Sequence, residues 1–499
     1  MNRNEAIARL GTNELWDIVV IGGGATGLGI AVDAATRGYR TLLLERNDFA
    51  HGTSSRSTKL IHGGIRYLKQ GNFALVRHSL LERSRLLKNA PDLVTGLGFV
   101  IPVYSWTEKY FYAAGLKLYD LLARGNQPFP TQVLTRAETL ARLPTLKTDG
   151  LTGGILYADA QFDDARLALR LAQSATAAGA TVLNYFPVTG FLKTGGKICG
   201  VLARDGETGA TFEIRARAVI NATGIFSDQI RRLDEPDASG KLSPSQGAHM
   251  VLPAGFLPGQ DALMIPSTSD GRVLFAIPWQ GRVLLGTTDT PVAHPADEPR
   301  VLPEEIGFLL AHIGKYLTRA PEQSDILSIF AGQRPLVRQK GPLTTAAISR
   351  EHLISIADSG LLTIAGGKWT TYREMAEDAV DRIVPVARLP MRPCHTADMP
   401  LAAGPEIPDH AADETPLHPR LPVRATDIIR AARREMARTV EDVLSRRTRC
   451  LYLNARAASE VAPRVAQLLA AELTRDSTWI NEQTNAFQSL AVQHLPQAD

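Results

Sequence analysis

Three glycines, Gly22, Gly24 and Gly27, stand in the spacing G-x-G-x-x-G, and a lone acid, Glu45, follows eighteen residues after the last of them. In that spacing the first glycine permits a tight turn. The second lets the backbone approach a pyrophosphate, and the third lets a helix pack close on a sheet. Ala25 and Thr26 open that helix, whose unpaired N–H groups and positive dipole end face an anion. Glu45 can accept a hydrogen bond from a ribose 2′-hydroxyl and would repel a 2′-phosphate, so the ligand predicted is an unphosphorylated adenosine dinucleotide. A second reactive stretch, GTSSRSTKLIHGGIRYL (52–68), brings Thr53, Ser54, Ser55, Lys59, Leu60 and Ile61 up to His62, Gly63 and Gly64, with Arg66 and Tyr67 beyond. Its hydroxyls and open backbone suit the lining of a cofactor beside an imidazole and a guanidinium. By composition it suits a polar surface loop equally.

The elements that must hold these residues can be read around them. Apolar runs at 18–21 and 41–44 flank the glycine turn and the small-residue helix after it, in the order strand, turn, helix, strand, acid. That order makes the glycine spacing specific. Segment 73–88 (FALVRHSLLERSRLLK) has apolar positions at helical spacing, and WTEKYFYAAGLKLYDLLA (106–123) is a second amphipathic segment rich in aromatics. The latter reads as a core helix, although Trp106, Lys109, Tyr110, Phe111 and Lys117 are residue types that also settle at a lipid interface. Residues 163–182 read as a helix running into a strand. From 245 to 350, short strands broken by Gly and Pro predict an antiparallel sheet, carrying His249 near its start and Asp289 and Thr290 at a strand end. Segment 399–422, heavy in Pro, Ala and acids, reads as a linker, and 425–489 as helical.

The fold class expected is an α/β dinucleotide-binding (Rossmann-like) domain interleaved with an antiparallel-sheet substrate domain, plus a C-terminal all-α domain. The boundaries predicted are 1–90, 151–235 and 355–385 for the first, 91–150 and 236–354 for the second, 386–424 for the linker and 425–499 for the last. A chain of 499 residues exceeds one core. Its 44% hydrophobic and 21% charged composition is ordinary for a globular protein, and a formal charge of +4 is too small to demand a polyanionic partner. Three scattered cysteines without a C-x-x-C pair predict neither a disulfide framework nor a zinc site, and fit a reducing cytoplasm. The opening MNRNEAIARLGTNEL contains Glu5 and no apolar run, so no secretory leader is expected, and any membrane contact is expected to be peripheral. In the C-terminal segment Arg433, Arg434, Arg438, Arg446, Arg447 and Arg449 outnumber the neighbouring acids. They read as a solvated helical face with i,i+4 pairing, the alternative being anionic lipid. No nucleic-acid motif accompanies them.

GGGATG together with STKLIHGGIRYL resembles the FAD-dependent glycerol-3-phosphate dehydrogenase family, within the D-amino-acid-oxidase-like flavoproteins. NATG (221–224), GQRPL (332–336), SREH (349–352) and IAGGKWTTYR (364–373) follow in the family's order. The resemblance implies FAD, with its dinucleotide end on the glycine turn and its ring under the segment containing His62. It also implies that Thr223, Gly224, Gly366, Gly367, Lys368, Thr370 and Thr371 lie near the cofactor. The reaction implied is oxidation of sn-glycerol 3-phosphate to dihydroxyacetone phosphate, with the C2 hydride passing to flavin N5 and the electrons onward to a membrane quinone. Arg66 and Arg334, then Arg350 and Lys368, are the expected phosphate clamp, since arginine forks fix both charge and orientation. Tyr67, Asp289 and Thr290 are expected at the substrate, and His62 or His249 as the base, an imidazole being able to accept a proton at working pH. A related oxidase releasing peroxide carries the same motifs, whereas the intact set His62, Arg66, Arg334 and Lys368 speaks against a catalytically silent flavoprotein acting as scaffold or sensor. A nicotinamide enzyme is disfavoured, because GGKWTTYR and STKLIHGG have no role there. The protein is expected in the cytoplasm, peripheral on the inner face of the membrane, with a homodimer left open.

Overall fold

The computed structural model describes residues 1–11, 14–64, 71–338, 352–402 and 415–497. Two sheets organise it. In the first, the central strand Trp16–Ile21 pairs in parallel with Thr41–Leu44 on one side and Thr211–Asn221 on the other. Thr181–Leu183 and Leu362–Gly366 extend it in parallel, and His352–Ile356 closes one edge antiparallel. Such strands are buried on both faces and so read as unbroken apolar runs. Ile18 and Val20 pack under the helices Ala25–Thr36, Asp164–Ala177 and Tyr372–Val386, while Val19 and Ile21 face the N-terminal helix Arg3–Leu10 and the meander Val188–Thr194, Lys197–Arg204.

The second sheet runs Thr290–Pro291, Ser245–Pro253, Arg282–Gly286, Leu274–Trp279, Ala262–Ile265, Val94–Val103, Gly153–Phe162, Leu60–Ile61. Ser328–Arg334 pairs with Ser245–Pro253 along its outer side. All contacts are antiparallel except Ala262–Ile265 with Val94–Val103. Alternation divides its side chains. Ala248 and Met250 enter the core beneath the helix Pro303–Ile313, and Val251 and Phe330 enter the core shared with the helices Ala425–Arg434, Ala455–Leu473 and Ser477–Gln493. The fold is thus an α/β unit joined to an antiparallel-sheet unit, with a helical C-terminal domain.

Four local expectations differ from what is seen. Strand Gly153–Phe162, drawn from sequence into the first domain, hydrogen-bonds along its length to Val94–Val103 in the second sheet. Residues 386–402 are not a free linker: Arg392 donates to the carbonyls of Arg37 and Gly38 (2.9 and 2.8 Å), and the Leu401 N–H to Asn89 O at 2.8 Å. The helix Trp106–Ala123 is only half a core helix. Leu116, Tyr119 and Ala123 are buried, but Trp106 (64%), Tyr110 (70%), Phe111 (61%) and Leu121 (73%) face outward. Finally, Arg446, Arg447 and Arg449 are not a solvated face. They are buried at the junction with the first sheet, where each meets a carboxylate.

Candidate active site

Between the two sheets lies a cleft of about 620 Å³, walled at one end by the first glycine turn and at the other by strands of the second sheet. Its size falls in the range usual for small-molecule sites. Gly22, Gly24, Ala25, Thr26 and Glu45 line the first end. Gly22 has φ +108°, and a β-carbon there would come within 2.7 Å of the Ala222 carbonyl. The Glu45 carboxylate accepts the Gly23 N–H at 2.6 Å and the Asn47 N–H at 2.8 Å, so it stands at the turn itself with lone pairs left over. Gly27 does not face the cleft. A β-carbon on it would lie 1.9 Å from Gly22 O, so its role is to let the helix seat against the turn. Gly27→Ala is expected to displace that turn and weaken dinucleotide affinity by at least about tenfold, one misplaced backbone donor being worth more than about 1.4 kcal/mol; titration of the apoprotein with the dinucleotide measures it.

The middle of the cleft is the strip 45–60. Thr53, Ser54 and Leu60 line it, whereas Ser55, Lys59 and Ile61 turn away. Ile61 lies opposite Leu60 by strand alternation. The Ser55 carbonyl and the Lys59 ammonium point backward to meet each other at 2.7 Å, with Asp164 at 2.6 Å from the ammonium. Burial lowers Lys59 to about 7, against the pull of Asp164. Ser54 is held from both sides: its hydroxyl accepts the Ala25 N–H at 2.9 Å, and its carbonyl accepts the Trp369 indole N–H at 2.9 Å. Thr223, Gly224, Gly366, Gly367, Lys368 and Thr370 complete this part of the wall. Gly366 and Gly367 both have positive φ, which turns the chain out of its strand into the helix Tyr372–Val386. Thr371 is the exception, its hydroxyl turned to the Lys368 carbonyl at 3.4 Å.

On the second-sheet side stand His249, Asp289 and Arg334, and His62, Gly64 and Lys368 also line the cleft, the Lys368 ammonium donating to the Ser79 hydroxyl at 3.4 Å. Gly63 does not line it; its N–H goes to the Tyr119 hydroxyl at 2.8 Å. His249 is 2% exposed and stacked on Phe330 (4.8 Å, 13°), with Nε2 at 2.8 Å from the Thr58 hydroxyl. Burial, then Lys59 and Arg334, hold its pKa well below the ordinary imidazole value, so the ring is neutral. Arg334 donates to the Thr288 carbonyl at 3.0 Å, the Thr287 hydroxyl at 3.2 Å and Asp289 at 3.3 Å. Asp289 therefore orients the guanidinium. Thr290, expected at the substrate, points the other way, donating to Glu305 at 2.7 Å. Arg66, Tyr67 and Arg350 lie outside the described residues. Sequence reasoning placed Thr58 among the lining hydroxyls but missed Thr287, Thr288 and Arg272 as cleft residues; hydroxyl and cationic side chains outside any glycine motif carry no signal that separates them from surface polars.

A glycine cradle that a side chain would block, an acid at the ribose position and cations at the opposite end fit a dinucleotide whose reactive end approaches a phosphorylated substrate. Residues 17–373 match the family of FAD dependent oxidoreductases, and residues 396–479 the C-terminal domain of alpha-glycerophosphate oxidase. Human mitochondrial glycerol-3-phosphate dehydrogenase is 39% identical over 539 aligned residues, spanning 97% of this chain and 74% of that one. The chain belongs to the FAD-dependent glycerol-3-phosphate dehydrogenase family. A solved glycerol-3-phosphate dehydrogenase from Bacillus halodurans, complexed with FAD, superposes with a TM-score of 0.78 at 30% identity, covering 99% of both chains. The L-alpha-glycerophosphate oxidase of Mycoplasma pneumoniae shares the fold at 18% identity and a TM-score of 0.58, covering 77% of this chain and 98% of that one. As a glycerol-3-phosphate dehydrogenase family member the chain takes FAD as cofactor, and the cleft residues named above are those that would hold it.

Proposed function

We propose that the chain oxidises sn-glycerol 3-phosphate at C2 to dihydroxyacetone phosphate and passes the electrons to a membrane quinone. The observation that carries this is the meeting of a neutral imidazole, His249, and an oriented guanidinium, Arg334, at the end of the cleft opposite the glycine turn. FAD, when bound, supplies the acceptor for the C2 hydride. Arg334 and Lys368 supply the positive charge that holds the phosphate, the guanidinium being fixed by its bonds to Thr287, Thr288 and Asp289. The C2 hydroxyl proton goes to His249, with the Thr58 hydroxyl, which lines the cleft and touches Nε2, able to hand it on. His62, on the same wall, is the alternative acceptor.

Anaerobic addition of glycerol 3-phosphate to the yellow protein should bleach its visible absorbance. Reoxidation by a quinone analogue without peroxide supports the dehydrogenase; stoichiometric peroxide in air assigns an oxidase; failure to bleach leaves a silent flavoprotein.

No helix among the described residues is long and apolar enough to cross a membrane. The outward face of the helix Trp106–Ala123, with Trp106, Tyr110, Phe111 and Leu121 exposed and Lys109 stacked over the Trp106 ring at 5.1 Å, suits peripheral insertion among lipid headgroups. Replacing Trp106, Tyr110 and Phe111 together by serine should lower the fraction that sediments with anionic vesicles by about tenfold or more, three interfacial aromatics contributing upwards of roughly 1.4 kcal/mol together, while activity with a water-soluble acceptor stays unchanged. Undiminished sedimentation would exclude this helix as the docking face.

A further inference from the structure

Arg446, Arg447 and Arg449 of the C-terminal domain do not line the cleft, yet they are among the most deeply buried side chains of the protein. Arg447 forks onto Asp48, with Nη2 at 2.8 Å from Oδ1 and Nη1 on the other oxygen; Arg446 Nε reaches the same carboxylate at 2.6 Å. Burial opposes ionisation of Asp48, but Arg447 and Arg446 bring it down to about 2. Two residues further on, Arg449 Nη2 donates to the Ser55 carbonyl at 2.8 Å and to Asp164 at 2.9 Å, sharing both acceptors with Lys59. Glu441, itself bonded by Arg446 at 2.6 Å, faces His51 at 3.4 Å. Asp48, His51 and Ser55 all belong to the strip whose other face, through His51, Thr53 and Ser54, lines the cleft.

This is not how two domains merely adhere. Desolvating so many charges costs more than an apolar seam of equal area would, and such pairs are retained where they specify one geometry. Here the geometry specified is that of the cleft wall: a strip without regular structure beyond the short helix Thr53–Ser55 is held from behind by guanidinium groups almost four hundred residues later in the chain (positions 48 and 447).

We propose that the turn 446–449 is a positioning element of the FAD site, so that docking of the C-terminal domain and binding of FAD reinforce one another. The inference rests on the assignment of this cleft to the cofactor. Coupling of this kind is reciprocal, so it can be read in the unaltered protein. Hydrogen exchange of apoprotein with and without FAD should show slower exchange in peptides covering 442–454 as well as in those covering 48–59. Protection at 48–59 with none at 442–454 overturns the proposal; no protection at 48–59 removes the assignment of the cleft, and the proposal with it. In variants, Arg449→Met should raise the FAD dissociation constant at least tenfold and move the visible flavin bands. Arg449→Lys should recover most of the affinity, and Arg433→Ala, which breaks only an exposed pair with Glu472, should leave it unchanged. A folded Arg449→Met protein with unaltered FAD affinity and spectrum would also overturn it, and the exchange experiment decides the matter should that variant not fold.

Discussion

Arg334→Ala is expected to lower kcat/KM for glycerol 3-phosphate by about 10²–10³-fold, chiefly through KM, with FAD still bound. Deleting one side of a charge-assisted pair within a desolvated site costs roughly 3–4 kcal/mol, and every ~1.4 kcal/mol is tenfold. The phosphate is held alike before and during the chemical step, so the loss is one of uniform binding and falls on KM. The side chain is held by donations to Thr287, Thr288 and Asp289, on the loop after strand Arg282–Gly286, and to the Gln246 carbonyl at 3.3 Å on strand Ser245–Pro253. Arg334→Lys keeps the charge but lacks the fork, and should restore only part of the affinity. Steady-state kinetics with a quinone analogue, alongside the flavin absorbance of each variant, measure both. An unchanged KM would remove Arg334 from the phosphate clamp.

His249→Asn should lower kcat by about 10²–10⁴, the usual worth of a positioned general base, with KM little affected. Because burial, Lys59 and Arg334 keep the ring neutral well below the ordinary imidazole range, kcat/KM of the native protein should show no inflection near pH 6.5 attributable to this residue. The same shift has a stability consequence with a definite sign. In the unfolded chain the imidazole binds a proton below about pH 6.5; in the folded protein it does not until much lower pH. The unfolded state therefore holds more protons across that window, and stability falls as pH drops through it. Thermal melts between pH 7 and 5 should show a steeper loss for the native protein than for His249→Asn. If instead His62→Asn abolishes turnover and His249→Asn does not, the base is His62.

The first glycine turn was legible because turn, helix and terminal acid lie within thirty residues and each is required by local geometry. The two sheets were legible in kind, since doubly buried parallel strands read as apolar runs and one-sided antiparallel strands alternate. What escaped depends on distant partners. Strand Gly153–Phe162 joins the second sheet because Val94–Val103 offers ten residues of register, which no local signal announces. Ser55 and Lys59 sit in the right segment but turn their polar atoms to Asp164 and Arg449, acceptors and donors more than a hundred residues away. Thr290 follows Asp289 in sequence yet serves Glu305. The arginines 446, 447 and 449 have the composition of a solvated face, and only the position of Asp48 and Asp164 shows otherwise.

The pairing of Trp16 with Ala216 at the centre of the first sheet bears on how the protein is made. At a synthesis rate of roughly 5–20 residues per second, the two hundred residues between those positions take about 10–40 s to emerge. For that interval the nascent nucleotide unit carries an open, strongly apolar strand edge, the kind of surface that attracts other chains. Fragments ending before residue 216 are therefore expected to leave a smaller soluble fraction on expression than the full chain, because the edge of Trp16–Ile21 that Thr211–Asn221 covers stays open in them.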